Sequence, residues 1–481
     1  MTCEKSEFLK ADGTRRVVIT GMGAISPAGT GVDALWNAVY SGKQCIAPIT
    51  RFDASGFAGS LAAEVPNFDA AACGMSKKEA RRFALFVQYA IAASEEAWAQ
   101  AGIDMEAEDA TRAACVWGSG IGGLEEFQRG CDTLSQKGPK RVNPLFIPTM
   151  IENMAAGNLS IRFGLKADCL SIVTACATGT HCVGEAYRLI RHGYADMALA
   201  GGSEESISPI CLAGFGNLGA TSKSTDPTAA SMPFDVNRGG FVPGEGAGAL
   251  VLESLEHAVA RGANILAEVA GFGSTGDAYH MTAPEPSGEG AVRAMRQALA
   301  EGGFTPDDLG HLNAHGTSTH ANDAMESAAL KALVGEERAA DVPVTSVKGS
   351  IGHTLGAAGA LEAIVCALSV ANDCVPPTAG TREIDPECGV NVPFEPIEGY
   401  KQKVALSNSL GFGGHNGSLA LSPFAGEIAA DAALVSRGHL AVRVSRMAAK
   451  ANAFRPSWQP APRETLLADV GFEITTSDVE R

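Results

Sequence analysis

The chain has 481 residues, 46% of them hydrophobic and 56 of them glycine, which suits a densely packed α/β protein of two or three domain-sized units or one duplicated core and excludes a disordered or fibrous chain. Its 37 basic against 54 acidic residues leave a net charge of −17, so a broad phosphate-binding surface, and with it a nucleic-acid partner, is not expected. The opening MTCEKSEFLKADGTRR has no apolar signal-peptide core, and no later run reaches the roughly 18 apolar residues of a membrane span, so a cytoplasmic protein with no membrane partner is expected.

Residues 1–14 read as an N-terminal extension. RRVVITGMGAISPAGTG then reads as a buried strand, Val17 to Thr20, running into a glycine-rich turn. Gly21 and Gly23 invite a dinucleotide fingerprint, but the third glycine is missing and Ser26-Pro27 interrupts the helix start, so close backbone packing is the simpler reading. Helix-like FALFVQYAIAASEEAWAQAG alternates with strand-like AACVWGSG and ADMALAGG, the pattern of layered α/β sheets. Residues 124–160 and 203–240 read as long loop insertions. Between them, TACATGTHC (174–182) places Cys176 on a strand-to-helix turn, where unpaired N–H groups and the positive end of the helix dipole favour a thiolate. The other cysteines are scattered without a CxxC pair, so free, mostly buried thiols are expected, with neither a zinc site nor a disulfide framework.

About midway, ILAEVAGFGSTGD repeats the first strand's pattern, which predicts two related halves, 15–260 and 261–424, with their active residues at one seam. HLNAHGTSTHANDAMESAAL follows. His311 and His320 read as ordinary core or surface histidines, whereas His315 is followed at once by a small, hydroxyl-rich loop suited to a polar ligand. Asp323 and Glu326 look like helix-start residues, and no second metal ligand stands in register with His315. TSVKGSIGHTLGAAGALE sets Lys348 and His353 before an alanine-rich helix containing Glu362, a junction comparable to that of Cys176. VALSNSLGFGGHNGSLAL reads as strand, flexible loop at Gly411–Gly414, and strand, a source of backbone N–H groups for an oxyanion. Residues 425–481 read as a C-terminal tail, basic then acidic, with no function assigned.

Taken in order, TACATGTHC, PFDVNRGGFVPGEGAG, NAHGTST, VKGSIGHTLGAAGALE and SNSLGFGGHNGS resemble the β-ketoacyl-acyl-carrier-protein synthases of the second, elongating type, over about residues 15–423. The resemblance implies a thiolase-like, duplicated five-layered αβαβα fold and a homodimer. It also implies that Cys176 takes an acyl group from an acyl carrier protein, with the oxyanion held by the N–H groups of Cys176 and Phe412. His315 and His353 would donate N–H groups to the enolate formed when malonyl-acyl-carrier-protein loses carbon dioxide, with Lys348 beside them. Thr317 and Thr319 match positions that bind the phosphopantetheine arm, Ile121 one that lines the acyl pocket, and Phe412 its mobile gate. Arg81, Arg82, Lys140, Arg141 and Lys223 match the docking positions for the acidic carrier. Asn313, Glu362, Ser407 and Asn408 match a structural cation site in the family, and equally a plain hydrogen-bond cluster, so neither a metal nor a cofactor is assigned.

Alternatives share the fold. A polyketide ketosynthase would use the same three residues on other acyl chains; a non-catalytic chain-length partner would lack the nucleophile that stands here at Cys176. A degradative thiolase calls for a second active cysteine and an initiating synthase for a Cys-His-Asn set, so the Cys-His-His set points to decarboxylative elongation. Acyl length and pathway are not written in these motifs.

Overall fold

The computed structural model describes residues 8–424. The C-terminal tail and residues 1–7 lie outside the described residues. Ten strands carry the architecture: β1 (Val17–Ser26), β2 (Ala113–Gly118), β3 (Cys169–Leu170), β4 (Met197–Glu204), β5 (Gly246–Ser254), β6 (Ala267–Gly276), β7 (Leu309–Asn313), β8 (Val344–Thr345), β9 (Val404–Gly411) and β10 (His415–Ser422). They hydrogen-bond in the order β3-β2-β4-β5-β1-β6-β10-β9-β7-β8, and Gly29–Thr30 adds a short arm to β1. Each strand of the first five has its counterpart five strands later, and the sense of pairing repeats too. In both sets the outer pairings are parallel (β3/β2/β4 and β8/β7/β9) and the inner ones antiparallel (β4/β5/β1 and β9/β10/β6). The sets meet where Val17–Ile19 pairs antiparallel with Ala267–Val269.

Six helices complete the layers: α1 (Leu85–Ala101), α2 (Met154–Phe163), α3 (Thr178–Arg191), α4 (Glu289–Gly302), α5 (His320–Val334) and α6 (Ala358–Ala371). Both faces of the strands are apolar, so alternate residues feed different cores. On β2, Ala114 and Val116 face α3 and α6, while Ala113, Cys115 and Trp117 face α1 and α2. On β9, Ala405 joins the central core and Val404 and Leu406 join the one beneath α4 and α5. The result is five layers, helix, sheet, helix, sheet, helix, with α3 and α6 at the centre, as the resemblance implies. Each fully buried large side chain, such as Trp117 or Phe272, contributes roughly 1.5–3 kcal/mol.

Two expectations change. The glycines at 21 and 23 do not turn the chain: β1 continues through them, past a register shift between Ile19 and Gly21, and β6 continues through Gly271 and Gly273, past one between Val269 and Gly271. A Cβ at Gly23 would lie 1.9 Å from the Ala93 carbonyl of α1, and one at Gly273 1.8 Å from the Ala294 carbonyl of α4, so the missing side chains let each outer helix rest its backbone on the strand. The supposed loop 124–160 is largely helical, with helices at Leu124–Lys137, Phe146–Met150 and Met154–Phe163. Leu124, Phe127, Cys131 and Leu134 recur at helical spacing there, on a segment that buries none of its residues.

Candidate active site

The turn ahead of α3 sets the nucleophile candidate. Thr174 ends the preceding loop, Ala175 takes a strained φ of +52°, and Ala175–Ala177 makes one 3-10 turn before the helix begins. The Thr178 hydroxyl accepts from the Thr174 N–H at 2.9 Å and closes that turn. Cys176 is 8% exposed at the floor of a cavity of about 360 Å³, whose walls include His315, His353, Thr317, Thr319, Phe215 and Phe412. Its sulfur and one ring nitrogen from each of His315 and His353 all lie within 4.8 Å of one another. The two imidazoles meet edge to face, with centroids 5.3 Å apart.

Both histidines come from the second strand set, and each is held by its backbone. His315 follows the carboxyl end of β7; its N–H and that of Gly316 donate to the two oxygens of the Glu326 carboxylate at 2.8 and 3.0 Å. His353 bridges to the 242–244 segment, donating from its N–H to the Val242 carbonyl at 2.7 Å and accepting on its own carbonyl from Gly244. The Leu355 N–H donates to His353 Nδ1 at 3.3 Å, so the ring proton belongs on Nε2. Burial, reinforced by the Lys348 cation, holds both imidazoles well below their ordinary range, so they are neutral N–H donors at pH 7. Lys348 forms a buried ion pair with Glu362 behind them.

The thiol departs from the sequence expectation of a stabilised thiolate. Burial pushes Cys176 up to about 12, and the Lys348 cation and the N–H groups of Phe412 and Cys176 recover only part of that shift. The dipole of α3, which begins two residues beyond Cys176, does not outweigh desolvation of a charged sulfur. The resting sulfur is therefore a neutral thiol with two backbone donors beside it.

Thr317 and Thr319 join the cavity, their hydroxyls 2.9 Å apart. The Phe412 ring packs at 6.4 Å from Phe215, on a loop whose Gly413 and Gly414 have positive φ. Ile121 does not face the Cys176 cavity. It lines a separate groove of about 590 Å³ with Phe127, Met150 and Val173. Arg81, Arg82, Lys140, Arg141 and Lys223 are all exposed, and none has an ion-pair partner among the described residues. Two members of the suggested cation set carry buried oxygens with no donor, Asn313 Oδ1 and Glu362 Oε2, which suits a hard cation; the Asn408 amide, by contrast, is spent on Ser418 and Glu326. The thiol and two imidazoles have the spacing for a soft one.

Sequence reasoning missed three charged residues that hold the site. Glu326, read as a helix-start acid, is fully buried beneath His315 and raised to about 7 by desolvation. Arg238, 1% exposed, donates to the carbonyls of Thr319 and His320 and pairs with Asp385 and Asp323. Glu204 ends β4 with its carboxylate buried. A charged residue inside an otherwise apolar or small-residue run, as in ALAGGSEES, was the available signal.

Comparison with known proteins agrees with this geometry. The profile of the β-ketoacyl synthase N-terminal domain matches residues 14–258 and that of its C-terminal domain residues 266–382. The chain is 46% identical to 3-oxoacyl-[acyl-carrier-protein] synthase 2 of Vibrio harveyi, over 85% of this chain and 99% of the relative, and 47% identical to that of Staphylococcus aureus over the same shares. Among solved structures, a β-ketoacyl synthase from Burkholderia phymatum superposes with a TM-score of 0.78 at 35% identity, covering 85% of this chain and 99% of that one. A type II polyketide acyl-carrier protein in complex with its ketosynthase, bound to a hexaketide, superposes with a TM-score of 0.78 at 32% identity, covering 85% of this chain and 100% of that one. With the five-layered duplicated fold and both domain profiles in register, the chain belongs to the β-ketoacyl synthase family.

Proposed function

We propose that the protein carries out the decarboxylative Claisen condensation of fatty acid elongation, joining an acyl group on Cys176 to malonyl-acyl-carrier-protein. The observation that carries this reading is the meeting of Cys176 with two neutral imidazoles in one cavity. In the first step the Cys176 sulfur attacks the acyl thioester, the backbone N–H groups of Cys176 and Phe412 hold the oxyanion, and the thiol proton ends on the departing phosphopantetheine sulfur. In the second, malonyl loses carbon dioxide while His315 and His353 donate hydrogen bonds to the enolate oxygen. The enolate carbon then attacks the acyl-Cys176 carbonyl, giving β-ketoacyl-acyl-carrier-protein and returning the sulfur, which takes up a proton. The backbone amide of Phe412 and the Lys348 cation support the sulfur while it is charged.

Further parts of the reading rest on the same likeness. Thr317 and Thr319 hold the phosphopantetheine arm and Phe412 gates the entry of the acyl chain, which would meet Ile121 only where it passes beyond the Cys176 cavity into the neighbouring groove. Arg81, Arg82, Lys140, Arg141 and Lys223 receive the acidic carrier, and their exposed, unpaired side chains support that role. If a cation is bound, Asn313, Glu362 and Ser407 would hold it, and it would add positive charge beside the Lys348–Glu362 pair. The chain is organised as the pair of halves 15–260 and 261–424 and works as a cytoplasmic homodimer. The exposed Leu170 and Val173 at the β3 edge support the dimer, and among the described residues no helix is long and apolar enough to cross a membrane. Identities of 46–47% to relatives named 3-oxoacyl-[acyl-carrier-protein] synthase 2, against 32% for the type II polyketide ketosynthase structure, favour elongation over polyketide assembly.

The test is Cys176→Ser with an acyl-loaded carrier, read by intact-protein mass spectrometry. Wild type gains the acyl mass and the variant does not; acylation of the variant, or of Cys182, refutes the reading.

A further inference from the structure

The repeat of the two strand sets extends into the turns that follow them. α3 is preceded by the 3-10 turn Ala175–Ala177 and α6 by Leu355–Ala357; both helices have 14 residues, and both turns open on a non-glycine residue with positive φ, Ala175 at 52° and Leu355 at 46°. In that register Gly356 holds in the second half the place of Cys176 in the first, and His353 lies three residues earlier. The strands β4 and β9 correspond as well. Each has eight residues, and their last residues are Glu204 and Gly411.

What these two residues do to the space before each helix differs. Gly411 has no side chain to place there: a Cβ would sit 2.4 Å from the Thr174 carbonyl and 3.4 Å from the Cys176 nitrogen, and the space ahead stays open as the cavity. Glu204 fills the matching space with a carboxylate. Its Oε2 accepts from the N–H groups of Gly356 at 2.9 Å and Gly120 at 2.8 Å, and its Oε1 accepts from the Ser119 hydroxyl at 2.8 Å. Ser119 Oγ in turn accepts from the Gly122 N–H. The residue is wholly buried.

We propose, resting on the condensation described above, that Glu204 is a positioning residue: a buried acceptor in the second half's counterpart of the oxyanion site, pinning the Ser119–Gly122 turn and the Leu355–Gly356 turn against the nucleophile. The two turns it joins lead to Ile121 on one side and to His353, through the Leu355 N–H, on the other. The join is close: a Cβ at Gly356 would lie 2.3 Å from the Gly120 nitrogen, and one at Gly120 3.4 Å from the Ala175 carbonyl. Two N–H groups packed that tightly need one shared acceptor, and removing it leaves buried donors facing each other. The carboxylate touches no reacting atom, and its charge works against ionisation of Cys176. Its contribution is therefore geometric.

The experiment compares the full chain with Glu204→Ala and Glu204→Gln, using separate acyl and malonyl carriers, thermal melting to establish folding, and millimolar formate as a small carboxylate that fits the vacated space. Glu204→Ala is expected to lose about tenfold to a hundredfold in kcat with KM within about threefold, and formate to restore part of it while leaving wild type unchanged. Glu204→Gln, which offers the two glycine amides one oxygen but turns an N–H toward Ser119, loses about threefold to tenfold and ignores formate. A folded Ala variant with kcat within about twofold of wild type overturns the proposal, and so does a loss that formate does not relieve. If the Ala variant does not fold, Glu204→Gln decides: a lowered kcat at unchanged KM supports the role and wild-type turnover overturns it. A wild-type enzyme that never forms acyl-Cys176 refutes the reading of the site instead, whatever the variants do.

Discussion

Gly411→Ala tests whether the two backbone amides beside Cys176 act as a set. Gly411 closes β9, directly before Phe412, and lies against the turn that presents the thiol. It is not at positive φ, so alanine adopts its backbone freely and the effect is one of contact alone. The new Cβ would meet the Thr174 carbonyl at 2.4 Å, and bringing that contact even to 3.0 Å separates the Phe412 segment from the Cys176 turn by about 0.6 Å. Both partners are backbone, so no side chain can swing away. A misplacement of about 1 Å in a reacting set costs around a hundredfold, so 0.6 Å corresponds to a loss of about tenfold to thirtyfold in acylation. Overpacking adds a stability cost of about 1–3 kcal/mol. Quenched-flow acylation from an acyl carrier, followed by intact mass, gives the rate, and denaturant unfolding gives the stability. An acylation rate within about threefold of wild type in a destabilised protein would show that the Cys176 and Phe412 amides need not be held in register, and the two-donor oxyanion site would be refuted.

Replacing His315 or His353 with Ala is expected to lower malonyl decarboxylation by about a hundredfold or more while self-acylation at Cys176 proceeds, and equal loss of acylation would make a histidine the base for the thiol. Phe412→Ala keeps its backbone N–H and loses the ring that rests on Phe215, so the oxyanion site persists while loading rate and chain-length preference change; unchanged values for both in stopped-flow loading would leave Phe412 as packing. His311 is fully buried, bonded through Nε2 to Thr345, and lowered to about 3 by desolvation. An imidazole with a lowered folded value is protonated first in the unfolded chain, so its contribution to stability is intact above 6.5 and is lost as the pH falls below it. Relative to His311→Gln, wild type should lose about 1.4 kcal/mol per pH unit below that point in urea unfolding, and a gap independent of pH refutes a neutral His311.

The layered architecture was legible because both faces of its strands are apolar and the strand-glycine pattern at Val17 recurs at Ala267, so even the duplication appears in the primary structure. The Cys-His-His set was legible because each member sits in a run of glycine, alanine and threonine, where a large functional side chain stands out. Close backbone packing was the right reading of Gly21 and Gly23, but the strand was ended too early, at Thr20, since a local reading cannot see that it is a helix backbone that rests on them. Glu204, Glu326 and Arg238 escaped for a related reason: their roles lie in hydrogen bonds to amides and carbonyls more than 80 positions or on another element away, and a charge in a small-residue run marks burial without saying which partner it meets. The state of the Cys176 thiol was misjudged because dipole and position are local properties, whereas desolvation depends on everything packed around the sulfur.

The narrow join between the strand sets bears on how the protein is made. Val17–Ile19 cannot find Ala267–Val269 until about 250 further residues have left the ribosome. During that interval β1 has an open edge, and the inward faces of α3 and β4, which include Val183, Ile190 and Ala200, have no α6 to cover them. Such non-local pairing is slow and exposes apolar surface to other chains. A nascent chain halted near residue 260 should therefore be held by chaperones or aggregate, and release of the complete chain should be the step at which protease resistance first appears across both strand sets together.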